Sequence, residues 1–124
     1  MPKLEGWQKE QRHRLEMLLS RLGPTRETVQ SGRFRTGHCE QGDWDIKSLL
    51  GKRIHWEDKI RKTHSIRSWF VKAQDETASG KITTLTLPLY PTHDAELVTL
   101  LKTEDFIALL EELQDAYKEL GVEE

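Results

Sequence analysis

The chain has 124 residues, of which 35% are hydrophobic and 32% charged, and its formal net charge is −2. That length allows one domain with a single modest core, and the composition is not that of a disordered chain. No apolar run approaches the roughly 20 residues of a membrane span or resembles a signal peptide, so a cytosolic protein with no membrane partner is expected. The single cysteine, Cys39, excludes an internal disulfide framework and offers no zinc spacing, so it reads as an incidental thiol.

In chain order, Trp7, Leu15, Leu18, Leu19 and Leu22 fall on one face of a first helix of about 18 residues, which Gly23-Pro24 should stop. The stretch Glu27 to His38 mixes β-formers with Gly and polar residues and predicts a weak strand or loop. "DWDIKSLL" and "RIHWEDKI" both alternate around Gly51-Lys52 and predict a β-hairpin. On its second strand His55, Glu57, Lys59 and Arg61 share one face, and Ile54, Trp56, Asp58 and Ile60 share the other. The first face is then solvated or functional and the second belongs to the core.

Ser65 can cap a helix with a buried stripe of Ile66, Trp69, Phe70 and Ala73, ending near Gly80. "KITTLTLPLY" predicts a strand, with Pro88 marking its end or a sheet edge, and "ELVTLLK" predicts another. Thr103 is a good N-cap for a last helix whose Phe106, Leu109, Leu110, Leu113, Tyr117 and Leu120 form a core-facing stripe. The order α-β-β-β-α-β-β-α implies an α/β or α+β sheet flanked by helices.

Charge is uneven along the chain. From Lys52 to Lys72 there are seven basic residues against two acidic ones, and from Glu104 to Glu124 eight acidic residues against Lys118. A basic middle with an acidic tail can present a phosphate-binding face, although a merely solvated surface can look the same. In the predicted hairpin Asp45 stands opposite Glu57, and two opposed carboxylates call for a compensating cation such as Mg²⁺. A loop centred one residue earlier puts Asp43 there instead. Lys59, on the face of Glu57, can orient a water or neutralise charge developing on a phosphate. By spacing alone, these residues could equally be the wet side of a two-stranded ribbon.

The block "GDWDIKSLLGKRIHWEDKIRK…SWFVKA" resembles the PD-(D/E)XK nuclease superfamily, particularly small phage and archaeal Holliday-junction resolvases. The residues that carry the resemblance are Asp45-Ile46, Glu57-Asp58-Lys59 with Arg61 and Lys62, Trp69 to Ala73, Leu97-Val98 and Asp105-Phe106. It implies a restriction-endonuclease-like core of a single mixed sheet flanked by helices. It further implies a Mg²⁺-dependent endodeoxyribonuclease, with Mn²⁺ able to substitute, that cuts branched DNA to leave a 5′-phosphate and a 3′-hydroxyl. Asp45 and Glu57 would hold the metal with the backbone carbonyl of Asp58, Lys59 would position water, and Asp43 is the alternate to Asp45. Glu16 is the candidate for a first-helix glutamate that completes such sites.

Arg53, Arg61, Lys62, Arg67 and Lys72 would contact backbone phosphates, which fix register without reading sequence. A symmetric junction favours a homodimer, in the cytoplasm of a bacterial, archaeal or phage-infected cell. Two positions depart from the pattern: Asp58 stands where an apolar residue is usual, and Lys72 where a Gln is common. His55 and His64 lie beside the site and, as isolated histidines, read as surface or hydrogen-bonded residues. The alternative from another class is a catalytically weak nuclease-fold regulator that binds nucleic acid or protein, and a third is a partner-binding protein whose acidic last helix mimics DNA.

Overall fold

Helix α1, Gly6–Leu19, starts where the Gln8 side chain folds back to accept the Glu5 backbone N–H at 2.7 Å, one half of a capping box. A 3-10 turn, Ser20–Leu22, carries it to Gly23. The computed structural model describes residues 5–28 and 42–121 of the chain. The face that α1 buries is Gln11, Leu15 and Leu19, an i, i+4, i+8 stripe, while Leu18 and Leu22 of the expected stripe are exposed. Gln11 has no exposed surface, and its Nε2 donates to the Thr92 and Ala95 carbonyls, at 2.8 and 2.9 Å.

Strand β1, Thr25–Glu27, pairs antiparallel with β2, Trp44–Ile46. Most of the expected weak strand, and Cys39, lie outside the described residues. The predicted hairpin does not form. After β2 the chain turns through a 3-10 segment, Gly51–Arg53, into β3, Ile54–Asp58, which pairs parallel with β4, Ile82–Pro88. Asp45 therefore stands opposite Arg26, and Glu57 opposite Leu85. Gly51 is needed for close approach, not for a hairpin turn. A Cβ there would run into the Ile46 carbonyl oxygen and lie 2.8 Å from the Ile46 Cβ.

The sheet runs β3-β4-β5, with β5, Leu97–Leu100, antiparallel to β4, so it is mixed, and the fold is α/β. Every residue of central β4 is buried, and Pro88 closes it. Helix α2, Ile66–Glu76, makes the crossover between the parallel strands. It ends at Glu76, short of Gly80, with Thr77 as an extended C-cap whose hydroxyl turns back to the Ala73 carbonyl and also meets the Thr83 hydroxyl on β4. Only Ala73 of its expected stripe is fully buried, whereas Ile66 is exposed. On the other side, Leu15, Leu19, Trp44 and Ile46 form a cluster against which Trp56 and Leu97 pack. Gln8 Nε2 ties α1 to the end of β3 through the Ile60 carbonyl at 2.7 Å.

Helix α3, Thr103–Glu119, begins one residue earlier than a Thr103 cap would place it, with Lys102 at the N-cap. Its stripe does not face a core. Phe106, Leu110, Leu113 and Tyr117 are each more than 40% exposed, and no α3 residue is fully buried. Periodicity reveals an apolar face, not what the face packs against. The Arg53 guanidinium grips both Glu112 carboxylate oxygens, at 2.6 and 2.7 Å. No helix among the described residues is long and apolar enough to cross a membrane.

Candidate active site

Gly42 has φ 78°, and a Cβ on it would collide with the Trp56 carbonyl oxygen and come within 2.8 Å of the Trp56 carbonyl carbon. Only glycine lets the chain run this close to β3. The contact is a parallel bridge between Gly42 and Trp56. It delivers the next residue, Asp43, whose backbone N–H donates to the Trp56 carbonyl at 2.6 Å and whose carboxylate accepts the Asp58 N–H at 3.0 Å.

Strand parity then sends His55, Glu57 and Lys59 toward α2, and Ile54, Trp56 and Asp58 toward α1. The α2 side is neither solvated nor apolar. His55 has no exposed surface, Glu57 is only 5% exposed, and the His55 ring Nε2 lies 2.8 Å from Glu57 Oε1. Burying charged groups is costly unless they are paired, hydrogen-bonded or bound to metal. Asp43, Glu57, Lys59, Trp69, Lys72, Ala73 and Glu76 together line a cleft of about 60 Å³. A larger, open depression runs along the outer face of α2 past Ile66, Arg67, Val71, Lys72 and Asp75. It gathers fewer charged side chains than the small cleft, which is therefore the candidate site.

Asp58 belongs to the opposite face. Its Oδ2 accepts the Trp44 indole N–H at 2.6 Å and lies 3.6 Å from Arg12 Nη2. The Arg12 guanidinium lies over the Trp44 ring, 5.9 Å from its centroid. Burial, and secondarily the charge of Asp43, pushes the Asp58 carboxyl up to about 6. An acidic residue in the usually apolar slot thus has an indole and a guanidinium as partners, and its side chain leaves the cleft face to its neighbours.

The other expected residues are divided. Asp43, Glu57 and Lys59 meet in the cleft. Asp45 does not line it, because its carboxylate is 3.0 Å from Lys47 Nζ and 3.6 Å from Arg26 Nε. Glu16 is 3.8 Å from the His13 ring and also outside the lining. Among the basic residues, Lys72 lines the cleft and Arg67 is exposed at the other end of the α2 face. Arg53 is engaged by Glu112, Lys62 Nζ by Glu5 at 2.8 Å, and exposed Arg61 touches the Ile60 carbonyl at 3.3 Å. Glu76 was not foreseen, although it lies seven residues after Trp69 and so on the same helical face.

Two donor sets could hold a divalent ion, one in the cleft lining and one that reaches behind it to buried His55. Asp43 and Glu57 offer hard oxygens of the kind Mg²⁺ takes. His55, Glu57 and Glu76 each present one ligand atom within 4.8 Å of the others, a mixed nitrogen and oxygen set. No family model matches the chain, and neither a curated protein nor a solved structure does.

Proposed function

We propose that the chain is a Mg²⁺-dependent endodeoxyribonuclease built on a restriction-endonuclease-like core, with Asp43, Glu57 and Lys59 as its active residues. The observation that carries this reading is the meeting of these three side chains in one cleft, with Gly42 bringing Asp43 against β3. Asp43 and Glu57 would hold the ion, together with the Asp58 backbone carbonyl, and Asp43 takes the role first expected of Asp45. The ion would supply Lewis-acid polarisation of the phosphodiester and a more acidic bound water.

The chain's own residues do the positioning. The Asp43 carboxylate is held by the Asp58 N–H and the Glu57 carboxylate by the His55 ring, so both present fixed oxygens to the cleft. The Lys59 ammonium neutralises charge that develops on the phosphate, and Lys72 at the rim meets a neighbouring phosphate. Phosphoryl chemistry of this kind is mostly positioning and charge stabilisation and needs no separate protein nucleophile. Branched DNA as substrate, a 5′-phosphate product and a homodimer presenting two clefts to a symmetric junction follow from the sequence resemblance.

Purified protein incubated with four-way junction and linear duplex DNA tests this reading. Cutting in Mg²⁺ or Mn²⁺ that stops with EDTA, and with Glu57→Ala or Lys59→Ala, supports it. Salt-sensitive binding with no cutting of any substrate supports the regulator instead.

A further inference from the structure

We propose that His55, Glu57 and Glu76 form a cation subsite with an imidazole ligand, which takes Mn²⁺ in preference to Mg²⁺. It shares Glu57 with the proposed nuclease centre, recruits as a ligand the His55 ring that in that reading holds Glu57, and adds Glu76, which that reading does not use.

The geometry is close to a coordination sphere. Ligand atoms bonded at about 2.1 Å to one ion lie about 3.0 Å apart when adjacent and about 4.2 Å apart when opposite. The His55 Nε2 to Glu57 Oε1 separation is 2.8 Å, and all three donors lie within 4.8 Å of one another. Glu76, half-buried in the last turn of α2, is the donor that would move in to close the sphere.

The backbone fixes the other two donors. His55 and Glu57 are two apart on β3, so the pleat points both at α2, and the parallel register with Thr83 and Leu85 of buried β4 holds them there. The Thr77 to Thr83 hydroxyl contact locks the end of α2, and Glu76 with it, over the same strands.

Charge also favours an ion. Asp43, Glu57 and Glu76 bring three carboxylates to the cleft against two lysines, Lys59 and Lys72, while Glu57 is almost wholly buried. A divalent cation is a further partner that such a buried cluster of carboxylates can take. The ligand type sets the choice of ion. Carboxylate oxygens suit Mg²⁺ and Mn²⁺ alike, whereas an imidazole nitrogen favours a first-row transition ion over Mg²⁺, and Mn²⁺ is the one of these that also suits the carboxylates.

The test is a calorimetric titration of the metal-stripped full chain with MnCl2, repeated in excess MgCl2. Wild type is expected to bind Mn²⁺ in the presence of Mg²⁺. His55→Gln and Glu76→Gln should each weaken that binding by at least about tenfold, and Asp43→Asn should weaken it far less. Glu76 is half-buried, so Glu76→Gln carries the test if His55→Gln does not fold. The inference is overturned if wild type does not bind Mn²⁺, if Mg²⁺ displaces it, or if Glu76→Gln binds it as wild type does. Its failure is distinguishable from that of the nuclease reading. Mn²⁺ binding lost with Glu76→Gln in a protein that cuts no DNA keeps the subsite and sinks the nuclease. Mg²⁺-dependent cutting in a protein whose Mn²⁺ binding ignores Glu76 does the reverse.

Discussion

The Trp44 indole N–H donates to the Asp58 carboxylate at 2.6 Å, tying β2 to β3 across the face turned away from the cleft. Glu57 and Asp58 are adjacent in sequence, yet the pleat gives one to the α2 side and the other to the α1 side. The acid in the middle of Glu-x-Lys is therefore a buried packing residue with polar partners.

Asp58 should make stability depend on pH. Its carboxyl is raised from 3.8 to about 6, by burial first and by Asp43 second, with Arg12, the Trp44 indole and Lys59 pulling the other way. A raised folded value means that the unfolded chain gives up this proton first. The stabilising contribution is complete below about pH 4 and is lost as pH rises through 6, at most roughly 3 kcal/mol in all. Asp58→Asn stays neutral throughout. Urea unfolding in metal-free buffer should show wild-type stability falling relative to Asp58→Asn between pH 4 and pH 7. Parallel curves for the two proteins would count against a raised carboxyl.

The two aspartates that were alternatives in the sequence should separate in a cleavage assay. Asp43→Asn removes a cleft oxygen and should lower Mg²⁺-dependent cutting by about 10²- to 10³-fold or more. Among the described residues Asp45→Asn disturbs the contacts with Lys47 and Arg26, and it should leave the rate within several-fold. A reversed ranking would return the metal to Asp45.

Much of the fold was legible because helices and strands announce themselves by period. The element order, the faces of Ile54 to Ile60 and the end of β4 at Pro88 follow from residue pattern alone. Strand pairing was not legible. "DWDIKSLLGKRIHWEDKI" alternates as a hairpin would, but Gly51 packs on the Ile46 backbone, and β3 finds its partner nearly thirty residues later in β4. That reading put Asp45 ahead of its alternate Asp43, whereas Asp43 is the aspartate that lines the cleft with Glu57. Leu110 and Leu113 show the complementary failure, since an amphipathic period is the same whether or not a core lies beneath it.

Two glycines with similar φ should respond differently to a methyl group. Gly42 and Gly80 have φ of 78° and 86°, so alanine is strained at both, by about 1–2 kcal/mol. Nothing lies within 4 Å of a Cβ at Gly80, whereas at Gly42 it meets the Trp56 backbone. Gly42→Ala should therefore lose clearly more stability than Gly80→Ala in thermal melts. It should also lose cutting activity, because the strand must move away and take Asp43 with it. Equal losses at the two positions would remove the close approach as the reason for glycine at 42.

Gln11 should be the least replaceable polar residue of α1. Its side chain is fully buried, and its amide N–H groups satisfy the Thr92 and Ala95 carbonyls in the chain that links β4 to β5. Arg14 donates to the same Ala95 carbonyl and to that of His93, and the Ala95 N–H bonds to the Thr92 carbonyl at 3.5 Å, so each of the two carbonyls keeps one donor without Gln11. Gln11→Leu keeps the volume and strips the donors, so the Thr92 and Ala95 carbonyls each lose one hydrogen bond, at about 0.5–1.5 kcal/mol apiece. Part of that is offset because the Gln11 Oε1, buried without a hydrogen bond among the described residues, also disappears. A net loss of about 1–2 kcal/mol in urea unfolding is expected, together with faster amide exchange at Leu89 and Ala95, whose own N–H groups bond within that link. Unchanged exchange there would mean that α1 does not hold the link in place.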